Sequence, residues 1–231
     1  MADLYASNSG WVYRAAIETW STIRNNATGD HHDGSVDKYT DGMLVQQAAA
    51  RGADYFKIVR SYFYFDTSGI TGTLSEATLK IYGFGGTATA DVIAVKSDAF
   101  GGDNSVQLAL TDYNNLDFST AYSAQFDATW SISAYNDMPL NAAALADMKN
   151  NDHFIVCVIE HDHDYADSAA SGGAIYQNGA YYDQYGTSRG PYIDYTVSTG
   201  YGHTVSGVAA ANIGKVAGVA TASIEKVIGF K

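Results

Sequence analysis

Apolar and polar positions alternate with a period of two along much of this chain, and that period predicts strands. Residues 55–66 carry Val59, Phe63 and Phe65 on one face and Arg60, Tyr62 and Tyr64 on the other. Residues 77–83 alternate in the same way, with Leu79 and Ile81 facing inward, and Gly85-Gly86 supplies the following turn. The order Trp11, Tyr13, Ala15, Ile17 predicts a strand within 7–26, and further strands are expected at 91–96 and 192–197. The run 154–159 is apolar on both faces, which predicts a central strand covered by a layer on each side.

One segment favours a helix. Asn141 can cap 142–149, and Leu140 and Leu145 have the spacing of a hydrophobic staple. Residues 25–42 and 160–190 are rich in Gly and polar residues and read as loops, while 103–138 show no resolved pattern. Short strands, frequent Gly turns and a single short helix predict an all-β chain, an antiparallel β-sandwich (jelly roll). Its expected core is Phe63, Phe65, Leu79, Ile81, Val156, Val158 and Ile193.

The pattern changes near residue 200, so the chain divides into a sandwich, 1–200, and a tail, 201–231. The tail repeats V-x-G-V-A-x-A-x-I-x-K with a period of 11 residues. A Gly in every repeat and the β-branched content oppose a helix, so extended segments turning at the Gly positions are expected. Val205, Val208, Ile213, Val216, Val219, Ile224, Val227 and Phe230 are too apolar to be left in water together. So few repeats cannot bury their own apolar side. The tail is therefore expected to extend from the body and drive assembly, with copies of itself as a homo-oligomer or with another virion protein.

Composition narrows the partners. The 231 residues carry a net charge of −12, which disfavours phosphate backbones and so nucleic acid. No apolar run of the length needed to span a membrane exists, so membrane insertion is not expected. The start, Met1-Ala2-Asp3-Leu4-Tyr5, shows no secretory signal. An extracellular-looking domain without one fits assembly into a virus particle inside a cell, followed by lysis. The one cysteine, Cys157, lies in an apolar run and is expected to be a buried small hydrophobe.

Several segments together resemble the DNRLRE-type, carbohydrate-binding-like jelly-roll domain. They are Arg60-Ser61-Tyr62-Phe63-Tyr64-Phe65-Asp66, then Ala77-Thr78-Leu79-Lys80-Ile81-Tyr82, and Leu140-Asn141-Ala142 opening a helix. An apolar strand ending in His161-Asp162-His163-Asp164-Tyr165 follows, and Arg189-Gly190-Pro191-Tyr192-Ile193-Asp194-Tyr195 closes the set. The match is scattered over about residues 40–198. The tail resembles a short repeat at the C-termini of phage structural proteins and of other large surface proteins. These resemblances imply a fold and a place at a surface; they do not imply a ligand.

Two clusters look like metal ligands, Asp30-His31-His32-Asp33 and His161-Asp162-His163-Asp164. If 161–164 continue a strand, Asp162 and Asp164 share one face and could serve calcium as a cofactor. The alternatives are two solvated polar loops or a transition metal. Tyr176, Tyr181, Tyr182 and Tyr185 could stack on sugar rings, or form a subunit contact, or pack on their own sandwich. No nucleophile with a positioned base is visible, so no catalytic residue is assigned and no enzyme is expected. The expected function is that of a non-enzymatic virion structural protein, a decoration, appendage or fibre subunit at the particle surface. The alternative is an extracellular carbohydrate-binding or adhesin module for a cell-surface glycan.

Overall fold

The computed structural model describes residues 2–50, 52–85, 87–182 and 188–198, with the backbone at 215–216 and 219–220. Along the body the strands are β1 (Ala2–Tyr5), β2 (Asn8–Ala16), β3 (His31–Asp33), β4 (Lys38–Ala50), β5 (Ala53–Asp66) and β6 (Thr73–Tyr82). They continue with β7 (Val92–Ser97), β8 (Leu116–Ala121), β9 (Tyr135–Pro139), β10 (His153–Glu160), β11 (Ile175–Tyr181) and β12 (Tyr192–Ser198). Two helices accompany them, α1 (Trp20–Arg24) and α2 (Ala142–Asn150). The smaller sheet has the order β1-β12-β6-β9, and the larger runs β11-β4-β5-β10-β7-β8, with β2 joined to β5 and β3 to β2. The strand pairings of the body are antiparallel.

Strand β5 organises the larger sheet. Residues 56–59 pair with both β2 and β4, and residues 61–64 with both β2 and β10. A strand has two edges, so β4 and β10 follow one another along one edge while β2 runs the length of the other. The handover falls at Arg60 and Ser61. The Ser61 hydroxyl donates to the Gly42 carbonyl and bonds the Tyr182 hydroxyl, both at 2.6 Å, which ties the diverging strand back to β5.

Both faces of this sheet are buried at its centre, where Tyr62–Phe65 of β5 and Phe154–Ile159 of β10 are apolar or aromatic at every position. The inner face meets the smaller sheet, and there Phe63, Phe65, Leu79, Ile81, Val156, Val158 and Ile193 are all fully enclosed, as the alternation predicts. The outer face carries Tyr62, Tyr64, Ile93, Val95, Ile155, Cys157 and Ile159. It is closed by a third layer with no sheet of its own. Ile23 of α1, Phe100, Leu108 and Tyr113 of two short 3-10 turns and their connection, and Ala170 supply that cover. Cys157 is a buried free thiol whose pKa is pushed up by burial, which suits an inert core residue.

Helix α2 closes one end of the sandwich. Asn141 accepts from the backbone N–H groups of Ala143 and Ala144, satisfying donors that the first turn leaves open. Ala144 and Met148 turn inward, one turn apart.

Two expected loops contain strands, and the segment 7–26 holds its expected strand, β2, but does not end with it. Residues 25–42 contain β3 and the start of β4, residues 160–190 contain β11, and 7–26 ends in the short helix α1. Strand β11 reads Ile175-Tyr-Gln-Asn-Gly-Ala-Tyr181, which has no apolar alternation. It is held by its ladder with β4 and by the Asn178 amide, which donates to the Ala90 carbonyl at 2.6 Å.

Candidate functional site

The acidic cluster at 161–164 sits where β10 ends. Glu160, almost fully buried, accepts from the backbone N–H groups of Asp162, His163 and Asp164. That cap bends the chain into one π-helical turn, His161–Tyr165, instead of prolonging the strand. The two aspartates are separated as a result. The expectation of a shared carboxylate face is corrected here: strand alternation stops at Glu160.

Asp164 is fully buried on the outer face and grips Arg60 with both oxygens, each at 2.8 Å. Arg60 also donates to the carbonyls of Arg24 and Tyr113, at 2.9 and 2.7 Å, and its guanidinium lies 4.3 Å from the Tyr113 ring centre. Arg24 donates from Nε to the Asp164 carbonyl at 2.6 Å. Burial opposes the charge of Arg60, but Asp164 outweighs it and holds the guanidinium pKa above its ordinary value. This hub pins α1, the 3-10 turn at 110–114 and the π-turn onto the sheet. It is a buried ion pair in which each Asp164 oxygen accepts from Arg60.

Asp162 is instead at the surface. It bonds His161 at 2.8 Å, and the Gln125 amide reaches both Asp91 and Asp162, at 2.8 and 3.4 Å. His163 bonds Glu160 at 3.0 Å and stacks on Tyr176. In the other cluster Asp30 is taken by Arg14 and the Ala15 N–H, and His31 packs against Trp11 and Tyr13. Among the described residues no three His, Cys, Asp or Glu side chains gather as a metal-binding group.

The three described tyrosines of the expected set lie in different settings. Tyr182 is in the inner core, stacked on Phe63, and burial raises its hydroxyl pKa. Tyr176 is half-buried against His163, and Tyr181 is buried at the edge of the larger sheet. Tyr185 lies outside the described residues. Of the assembly residues, Val205, Val208, Ile213, Ile224, Val227 and Phe230 also lie outside them. Val216 and Val219 fall in a small antiparallel pair, β13 (Lys215–Val216) and β14 (Val219–Ala220), with Val216 opposite Val219. Gly218, where the repeat predicts a turn, lies outside the described residues.

A different aromatic set does converge. Alternation on the smaller sheet points Ile81 and Ile193 into the core, so Tyr82 and Tyr192 project from its outer face. The register places Tyr5 opposite Tyr192 and Tyr135 opposite Tyr82. The rings form a continuous row: Tyr5–Tyr192 at 5.2 Å, Tyr192–Tyr135 at 5.0 Å, Tyr135–Tyr82 at 5.1 Å and Tyr82–Tyr181 at 5.5 Å between centres. Most of these contacts are edge-to-face, an arrangement the ring quadrupoles favour. Tyr5 is the most open, at 56% exposure. Arg189 lies 5.0 Å from the Tyr82 ring centre and 4.9 Å from that of Tyr181, and donates to the Tyr181 hydroxyl at 2.6 Å.

The rim of this row is polar. Lys80 pairs with Asp137 at 2.6 Å, and burial raises the Tyr192 hydroxyl pKa against the pull of Lys80. Gly83 ends β6 beside the row, and a Cβ there would lie 1.8 Å from the Ser131 carbonyl oxygen, so only glycine fits. The signal for this set was present in the alternation of residues 77–83, but the pairing of Tyr82 with Tyr135 and Tyr192 depends on chain segments far apart in sequence.

A smaller polar cleft of about 170 Å³ lies between α2 and β7. In it Tyr122 and Lys96 both donate to Asp147. Burial pushes the Tyr122 hydroxyl pKa well up, which makes it a poor nucleophile.

No protein-family model matches the chain, and no curated protein matches it.

Proposed function

We propose that this chain is a non-enzymatic structural protein of a virus particle, a decoration, appendage or fibre subunit at the particle surface. In this reading the sandwich faces outward and residues 201–231 join it to copies of itself or to other virion proteins. The observation that carries it is the contrast between body and tail. Most of the body's large apolar residues are enclosed in two cores, with Ile17, Val106, Ile132 and Ile175 among the few that stay exposed. The tail repeats Val, Ala and Gly every 11 residues, and its described pairing involves two residues on each side. Such thin segments suit packing between chains. Charge supports the same reading: the tail holds Lys215, Lys226 and Lys231 against the single acid Glu225, in a chain of net charge −12. Its basic segments are attracted to an acidic body. The test is deletion of residues 203–231. Sedimentation should then find a folded body that no longer assembles; normal assembly by the truncated chain would refute the proposal.

The row Tyr5–Tyr192–Tyr135–Tyr82 favours a second reading, carbohydrate recognition, in keeping with the carbohydrate-binding-like resemblance. Aromatic faces suit the apolar face of a pyranose, and Arg189, Lys80 and Asp137 supply polar groups at the rim. Screening the full chain on a glycan array, alongside Tyr5→Ala and Tyr192→Ala, tests it. Saturable binding lost in both variants is the expected result, and binding that survives both would exclude this face.

A further inference from the structure

The described body ends at Ser198, and that end is not in open space. Ser198 pairs with Thr73 at the start of β6. Thr73 is also the first wall of a shallow groove of about 300 Å³ between β6 and α2, lined by Leu74, Ala142, Leu145, Ala146 and Lys149. The helical residues stand at positions i, i+3, i+4 and i+7, which form one stripe along the helix. The stripe is apolar up to the exposed Lys149 that ends it, with Ala142 and Ala146 exposed and Leu145 half-buried against the core. Such a stripe can accept a cover, and the last described residue of the body, Ser198, stands at its mouth.

We infer that the groove between β6 and α2 is the seat of this chain's own first tail repeat, residues 205–215. The inference rests on the reading of the tail as an assembly element and adds where that element is anchored. The geometry is permissive. Six residues, 199–204, separate Ser198 from Val205, and an extended chain of that length reaches about 20 Å. The chemistry is matched. The repeat offers Val205, Val208 and Ile213 between Ala and Gly, and side chains of this size fill a shallow alanine-lined surface without needing a deep pocket. Seated there, the first repeat fixes the direction in which the later repeats leave the body, so that 216–231 are presented to a neighbour at a defined place.

Disulfide trapping in the full chain tests this. Ala146→Cys is combined in turn with Val205→Cys, Val208→Cys and Ile213→Cys under mild oxidation. The native Cys157 is buried and does not compete. Non-reducing electrophoresis should convert most of the chain, in at least one pair, to a faster-migrating closed monomer. Dimer-sized bands in its place would mean that a neighbour's tail occupies the groove, and no trapping in any pair would mean that the groove is not the seat; either result overturns the inference. The deletion of 203–231 separates the two levels. If it abolishes assembly while trapping fails, only the seat is lost. If it leaves assembly intact while trapping succeeds, the seat stands and the assembly role falls.

Discussion

The two faces of the larger sheet bury similar amounts of β5 and β10 by different means. On the inner face a second sheet supplies Leu79, Ile81 and Ile193, and the seam is apolar throughout its centre. On the outer face the cover is a set of short turns and one five-residue helix, none with a regular apolar surface. Such pieces cannot hold themselves down by area alone. Arg60 holds them, by donating to two backbone carbonyls of that cover while Asp164 balances its charge. The difference teaches that a sheet covered by loops can be locked by one buried charged side chain. Taking that charge from water is costly unless every donor finds a partner.

Removing one partner of this lock should have the largest effect. Asp164→Asn strips the counter-charge from a fully buried Arg60 and should cost about 3–5 kcal/mol in urea unfolding. A loss under about 1 kcal/mol would show that the outer layer does not depend on the pair. Replacing both partners, Arg60→Met with Asp164→Leu, should cost less than the single change, because no uncompensated charge is left. On the inner face Phe65→Ala should cost an amount of the same order, about 3–5 kcal/mol, through the cavity it leaves beside Phe154. No partner substitution should rescue it, which would separate the two modes of closure in one experiment.

Smaller effects ask whether the inner face also needs polar pins at its end. Asn141→Ala removes the cap of α2 and should cost about 1 kcal/mol, read as a lowered Tm. The weakest effect should come from Asp147, which ties α2 to β7 through Lys96 and to the end of β8 through Tyr122. Burial would raise its pKa, but the bonds from Tyr122 and Lys96 outweigh it and hold the carboxyl below the ordinary value. A depressed pKa in the folded state means that the stabilisation is complete above the ordinary carboxylate range. It is then lost as pH falls through the folded value. Asp147→Asn should therefore lower Tm slightly at neutral pH, and the gap from the unaltered chain should close in acid. A gap that stayed constant down to acid pH would remove the carboxylate from the account.

The sequence by itself determined the strands whose two faces are both apolar or cleanly alternating. β5, β6, β10 and β12, the helix cap at Asn141 and the seven inner-core residues were legible because period and capping are local properties of the chain. Tertiary structure decided the rest. Arg60 sits on the face with Tyr62 and Tyr64, and nothing local distinguishes a solvated arginine from one that locks a layer. Its partner Asp164 arrives 104 positions later, and only because Glu160 turns the chain out of its strand. The aromatic row is of the same kind: alternation sends Tyr82 and Tyr192 outward, but register sets them beside Tyr135 and Tyr5. Strand β11 carries no periodic signal and exists through its ladder to β4. Hydrophobic period is written in neighbouring residues, whereas the partner of a buried charge or an exposed ring is fixed by which strands meet, and that is settled only when the sheets close.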